Sequence, residues 1–208
     1  MTSRRVRAYI GLGANVGDSA STLASAVGAL AGLPGSHVRG VSRLYSTSPV
    51  GVTDQSDFHN AVVALDVPAG DDPASGAIAL LAHLKELERS FGRRKRRRWG
   101  PRELDLDLLV FGRARLAVER PPAARSLDAD ADPAATAKLL VVPHPSAADR
   151  LFVLAPFADL APGLVPPGWG RSVDRARRLQ LEVEGPGAAR VAGTWDPLAQ
   201  AWKPVQPR

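Results

Sequence analysis

Leu104-Asp105-Leu106-Asp107-Leu108-Leu109-Val110-Phe111 alternates at its start and ends in a continuous apolar run, which is the pattern of a β-strand. Side chains on a strand point to opposite faces in turn, so Asp105 and Asp107 share one face while Leu104, Leu106 and Leu108 point toward a core. Towards the N-terminus, Gly92 ends a helix that is predicted from a cap at Asp71 or Asp72, with Pro73 near its first turn, to about Phe91. Before it, Phe58 to Val67 reads as a strand, Ser46 to Asp57 as a polar loop, and His37 to Tyr45 as a strand. Asp18 is placed to cap a helix from Ser19 to about Leu33 that Pro34-Gly35 stops. The chain opens with a strand over Val6 to Leu12 and a tight turn over Gly13 to Gly17. The order β-α-β-β-α-β is that of an α+β, ferredoxin-like domain, in which helices back a mainly antiparallel sheet.

Beyond Phe111 the pattern is looser. Arg115 to Val118 and Leu139 to Val142 read as short strands, and Ala147 to Leu160 as a helical stretch. The Pro-, Ala- and Asp-rich segment from Pro121 to Ala137 reads as a mobile insertion. After Pro162 the short apolar runs and Pro-Pro-Gly give no element. The expected organisation is one domain over residues 1–208: a core at about 6–162, the insertion at 121–137, and an extension from 163.

At 208 residues the chain is long enough for one domain with a proper core, and its 45% hydrophobic and 23% charged content is that of a soluble globular protein. It has no cysteine, which excludes disulfides, thiolate metal sites and cysteine nucleophiles. No signal peptide or membrane span is evident, so a cytoplasmic protein is expected. The net charge is +6, and Arg93, Arg94, Lys95, Arg96, Arg97 and Arg98 could supply it alone. Such a cluster seeks an anion: nucleic acid, a phosphorylated small molecule or an acidic surface.

The basic run does not stand alone. It leads through Trp99-Gly100-Pro101-Arg102 directly into the Asp105/Asp107 pair. Two carboxylates on one face, beside guanidiniums that can each bind two oxygens, suit Mg²⁺ held against a polyphosphate. An isolated Asp-x-Asp is more often the wet face of an edge strand, and an isolated arginine run more often a solvated surface or an RNA contact; their adjacency shifts both toward phosphate chemistry. Phe58 and Asn60 share a strand face, where a ring and an amide could stack on and read the edge of a flat heterocycle. Taken alone they are a core aromatic and a turn-proximal amide. Gly11 to Gly17 approaches a dinucleotide fingerprint, but Val16 stands where its third glycine belongs, and the P-loop pattern is absent. His37, His59, His83 and His144 form no metal-ligand spacing.

Taken together, these segments resemble the 6-hydroxymethyl-7,8-dihydropterin pyrophosphokinase family. The resemblance runs from about Tyr9 to Pro162, outside the insertion. It is carried by Tyr9 through Asp18, Tyr45-Ser46-Thr47 with Pro49 and Gly51, Phe58-His59-Asn60-Ala61, Leu87-Glu88 before Gly92-Arg93, Arg98 through Asp107, Pro143-His144, and Arg150 through Leu154 with Pro156. The Arg-Trp-Gly-Pro-Arg-x-Leu-Asp-Leu-Asp run is the most specific part. The resemblance implies a ferredoxin-like α/β/α sandwich and transfer of diphosphate from the co-substrate ATP to the pterin hydroxymethyl group. Asp105 and Asp107 would bind two Mg²⁺ ions, with Arg93 and Arg102 acting on the phosphates. The pterin site would take in Thr47, Val50, Phe58, Asn60, Trp99 and Phe152. The ATP site would take in Glu88, Arg93, Lys95, Trp99, Arg102, Leu108, His144 and Arg150.

Several positions depart from the family pattern. Phe58 replaces a frequent Tyr, and Lys85 replaces a Gln of one branch. The second arginine of Gly-Arg-x-Arg becomes Lys95 or shifts to Arg94 or Arg96. Leu139, Val141 and Pro145 stand where some members have Arg, Thr and Tyr. A monomer binding neither nucleic acid nor membrane is expected. The alternatives are a basic nucleic-acid-binding module and a relative that binds pterin or ATP without turnover.

Overall fold

The sheet is built around one strand that is apolar on one face and, on the other, runs from Arg5, Arg7 and Tyr9 to the side-chain-free Gly11 and Gly13. In the computed structural model, which describes residues 4–49, 54–93, 100–121 and 137–205, β1 (Arg5–Ala14) pairs with β4 (Phe58–Pro68) on one side and β5 (Asp105–Phe111) on the other. Ala8, Ile10, Leu12 and Ala14 of β1 lie buried with Leu106 and Leu108 of β5 and Ala61, Val63 and Leu65 of β4. Helices α1 (Ser19–Ala31) and α2 (Pro73–Ser90) cover that face through Leu23, Val27, Leu30, Ala77, Leu80 and Leu84. The caps form as their residues dictate. Ser21 N–H donates to Asp18 Oδ1 at 3.0 Å, and Asp72 forms a capping box with Ser75 directly ahead of Pro73.

β1 continues through Gly13 and Ala14, which the sequence reading placed in the turn. Gly13 is held there from both sides, paired with Asn60 and with Asp105, so the turn proper begins at Asn15.

The strand predicted over His37 to Tyr45 is two strands, β2 (His37–Val41) and β3 (Leu44–Thr47), both antiparallel to β4. Ser42 makes the break. Its hydroxyl accepts the Val62 N–H at 2.9 Å, and its carbonyl accepts the Trp202 indole N–H at 2.8 Å. With these strands the core order is β5-β1-β4-β3, the ferredoxin-like arrangement in a mainly antiparallel sheet.

β6 (Leu116–Glu119) and β7 (Lys138–Val142) form a separate hairpin-like pair. A 3₁₀ turn at Ala147–Asp149 leads into α3 (Leu151–Leu160). The extension, unassigned from sequence, is regular. It forms α4 (Val173–Glu184), and its strands β8 (Arg190–Asp196) and β9 (Ala201–Pro204) lengthen the sheet beyond β3, giving seven strands among the described residues. Leu154 and Phe157 of α3 and Val173 and Ala176 of α4 pack on Val62 and Leu109, which lie on the face opposite α1 and α2. Among the described residues no helix is long and apolar enough to cross a membrane.

His59 and His144 give this fold a pH dependence. Burial pushes both imidazoles below the ordinary 6.5, against nearby carboxylates: Asp18 and Asp57 at His59, Asp107 and Asp105 at His144. Well above pH 6.5 both are neutral whether the chain is folded or not, and their contribution to stability is at its full value. As pH falls the unfolded chain takes protons first, so stability is lost through the window below 6.5. The urea midpoint is therefore expected to be lower at pH 5.5 than at pH 8. His59→Gln should narrow the difference; a difference unchanged in that variant would contradict the assignment.

Candidate active site

Asp105 and Asp107 alternate with the buried Leu104, Leu106 and Leu108, and so lie on the face of β5 turned away from α1 and α2. Across the ladder, Gly13 is the partner of Asp105 and Gly11 the partner of Asp107, so no β1 side chain rises beside either carboxylate. On the far side of Gly13 sits Asn60, and a Cβ at Gly13 would lie 3.2 Å from its Oδ1. Asp105, Gly13 and Asn60 thus form one rung of three adjacent strands, and neighbouring strands lie ~4.8 Å apart. The floor between amide and carboxylate is bare backbone, flat enough for a ligand to lie on.

Arg93 Nη1 donates to Asp105 Oδ1 at 2.7 Å, and Arg102 Nη1 pairs with Asp105 Oδ2. Burial pushes the Asp105 carboxyl up, but Arg102, Arg93 and Lys85 together outweigh it and hold it below the ordinary carboxylate range. It therefore stays ionised at neutral pH. Beneath it, Glu88 is 2% exposed. Its Oε1 accepts from Lys85 Nζ at 2.7 Å and from the Leu106 backbone N–H at 2.8 Å, and it pairs with Arg93 Nη1. Lys85 Nζ also reaches the Leu106 carbonyl at 3.2 Å.

On the other side of the floor, Asn60 Nδ2 donates to Thr47 Oγ1 at 2.7 Å, both side chains being buried. Phe58 pairs with Thr47 at the start of β4 and is part-exposed. At the β5 end, His144 N–H donates to the Leu109 carbonyl at 2.9 Å, which holds the residue against β5. Its Nδ1 accepts the Ser146 N–H at 3.3 Å, so in the neutral ring Nε2 carries the proton. Arg150 lies over the Phe152 ring, 5.7 Å from its centroid, at the start of α3.

The donor set can be tested against a metal. Among the described residues no three His, Cys, Asp or Glu side chains gather as a cage. Two carboxylates on an open face fit Mg²⁺, which takes one or two protein carboxylates and fills its shell with phosphate oxygens and water.

The family model described as 7,8-dihydro-6-hydroxymethylpterin-pyrophosphokinase matches residues 9–162. The chain belongs to that family. It is 41% identical over 188 residues to the 2-amino-4-hydroxy-6-hydroxymethyldihydropteridine pyrophosphokinase of Methylorubrum extorquens, covering 89% of this chain and 98% of that one. It is 37% identical to the Bacillus subtilis protein of the same name over 153 residues, 74% of this chain and 77% of that one. Among solved structures, an HPPK-DHPS in complex with substrates superposes with a TM-score of 0.63 at 14% identity, over 86% of this chain and 44% of the other. The wild-type Plasmodium falciparum HPPK-DHPS gives 0.62 at 14%, over 88% and 43%. This chain spans less than half the length of those two, and the likeness to them is one of fold.

For this pyrophosphokinase the structure rearranges part of the expected site. Asp105, Arg93 and Arg102 are joined directly, as are Thr47 and Asn60; His144 is packed on β5. Two residues expected at the ATP site are buried. Leu108 is 3% exposed in the core, because alternation turns its side chain away from the carboxylates. Glu88 lies under the site, with Arg93 rather than solvent above it. Among the described residues no ring contact joins Phe58 to Phe152. Val50, Lys95 and Trp99, with Arg94 and Arg96, lie outside the described residues, as does most of the 121–137 insertion.

Gly11, read in the strand, and Gly13, read in the turn, were not singled out, since a glycine has no side chain to announce a face. The burial of Glu88 had a signal: it falls four residues after Leu84 on the stripe of Ala77, Leu80 and Leu84. Gly13→Ala would press a methyl on the Asn60 amide, which Thr47 keeps from retreating. It is expected to raise the pterin KM about tenfold, ~1.4 kcal/mol, with little change in the thermal midpoint. An unchanged pterin KM would show that Asn60 does not define that pocket.

Proposed function

We propose that the chain acts as a Mg²⁺-dependent pyrophosphokinase of folate biosynthesis, with ATP laid along the Asp105/Asp107 side of the bare β1 floor and the dihydropterin on the Asn60 side. The observation that carries this reading is the single rung Asp105–Gly13–Asn60: a carboxylate gripped by two guanidiniums faces, across a glycine, an amide locked by Thr47. On this reading, polyphosphate chemistry and heterocycle recognition would lie about two strand spacings apart.

The pterin hydroxyl releases its proton to water as its oxygen forms a bond to the β-phosphorus of ATP, the bond from that phosphorus to the α–β bridging oxygen breaks, and AMP departs. Asp105 and Asp107 would hold two Mg²⁺ ions, which when bound neutralise phosphate charge and lower the pKa of the attacking hydroxyl. Arg93 and Arg102 are already aimed at the carboxylate edge, where their forks can turn to phosphate oxygens and meet the charge that builds during transfer. His144, neutral and with its Nε2–H free to donate, supplies a hydrogen bond to the nucleotide without adding charge. Phe58 and Phe152, with Trp99, would stack on the pterin; Asn60 would read its edge, with Val50 lining the pocket. Lys95 and Arg150 would reach the phosphates from the rim.

The described basic residues Arg93 and Arg102 turn inward onto Asp105. This favours a small anion at the site over a nucleic acid laid on the surface. A cytoplasmic monomer completes the reading.

Removing divalent metal with a chelator is expected to abolish product formation, and added Mg²⁺ to restore it; turnover undiminished by chelation would overturn the metal role. Arg102→Ala is expected to lower kcat about 10²-fold, ~2.7 kcal/mol, with a smaller change in pterin KM. An unchanged rate at saturating ATP would remove Arg102 from the transition state.

A further inference from the structure

We infer that Asn15 is a positioning residue whose one side-chain amide sets the phosphate half of the active site against the pterin half. The residue follows the last position of β1 and is 7% exposed. Its Oδ1 accepts the Arg102 N–H at 2.8 Å, and its own N–H donates to the Arg102 carbonyl at 3.0 Å. Its Nδ2 donates to Gln55 Oε1 and to the Ser56 carbonyl, both at 3.0 Å. Arg102 carries the guanidinium that grips Asp105. Ser56 stands two residues before Phe58, where β4 begins, and four before Asn60.

Neither residue 102 nor residues 55 and 56 belongs to a strand. The amide does for these two segments what a ladder does elsewhere in the sheet: it fixes their spacing with directed bonds in a buried place where an unmade bond is costly. The chemistry of the residue is specific. Both a donor arm and an acceptor arm are needed. Asp would keep the acceptor toward Arg102 and lose both donations, and Ala would lose all three side-chain bonds. In-line transfer needs the hydroxyl and the β-phosphorus held in one geometry, and a misplacement on the order of 1 Å costs about 10²-fold in rate. The inference rests on the assignment of Arg102 to the phosphates and of Phe58 and Asn60 to the pterin.

The test compares Asn15→Asp and Asn15→Ala with the wild-type chain, by steady-state kinetics in each substrate and by backbone hydrogen exchange of the free protein. In Asn15→Asp, pterin KM should rise at least tenfold while ATP KM stays within about twofold. In Asn15→Ala both should rise. The Arg102 amide should stay protected in Asn15→Asp and lose protection in Asn15→Ala, while Ser56 and its neighbours exchange faster in both. The misalignment should also lower kcat in both variants. Kinetic constants unchanged in both variants, or Arg102 protection unchanged in Asn15→Ala, would overturn the inference. Should the wild-type chain form no AMP, the functional reading fails by itself, and the exchange pattern still decides whether Asn15 is the tether.

Discussion

Asp107→Ala and Asp105→Ala are each expected to lower kcat by a factor on the order of 10³ or more, ~4 kcal/mol of transition-state stabilisation, while the circular-dichroism spectrum stays that of the wild type. The two should differ in stability. Both carboxylates stand on the open face of β5, so neither substitution leaves a core cavity. Asp105, however, is the shared acceptor of Arg93 and Arg102, and its loss leaves those guanidiniums facing each other without it. Asp105→Ala should therefore also lower the urea midpoint and raise the ATP KM, whereas Asp107→Ala should act on turnover alone. Near-normal turnover in both variants would refute the assignment of the carboxylate pair to the reaction. An identical stability loss in both would refute the role of Asp105 as the counter-charge.

Glu88→Ala is expected to cost about 3 kcal/mol of folding stability. The buried carboxylate joins α2 to β5 through the Leu106 N–H and balances Lys85 and Arg93. Removing it strands a buried backbone donor and leaves the two cations without their common partner. Glu88→Gln keeps an oxygen for Leu106 but not the charge, and should cost less than half as much. Both should raise the ATP KM, since Arg93 would then be held by Asp105 alone. Denaturant unfolding of the three proteins measures the order; a loss for Glu88→Ala within experimental scatter of zero would mean that water replaces the carboxylate and that Glu88 faces the nucleotide after all.

What was legible in the sequence was local. Alternation in Leu104 to Phe111 identified β5 and the shared face of its two carboxylates, and Asp18 and the Asp71-Asp72 pair marked the starts of two helices, the second cap falling to Asp72. The order of those elements then sufficed for the sheet. What was not legible depended on partners far along the chain. The division of β2 from β3 is made at Ser42, whose carbonyl is taken by an indole 160 residues later. The strand β9 is short, and the Trp195–Trp202 edge-to-face contact that joins it to β8 is visible only once they pair. The helix α4 is amphipathic but fully buries only Val173 and Ala176, and it went unread behind the Pro-Pro-Gly run. In the candidate site, the connections between residues were not readable. Asn15 looks like a turn residue, and Glu88 like a surface carboxylate near phosphates, until the backbone donors that claim them are in place.

Nucleotide product analysis of the purified protein with ATP, Mg²⁺ and 6-hydroxymethyl-7,8-dihydropterin tests the central claim most directly. AMP that forms only when pterin and metal are both present, in step with the pterin diphosphate, is the expected result. ADP in its place would contradict diphosphate transfer, and a folded sample that yields no nucleotide product would contradict catalysis at this site.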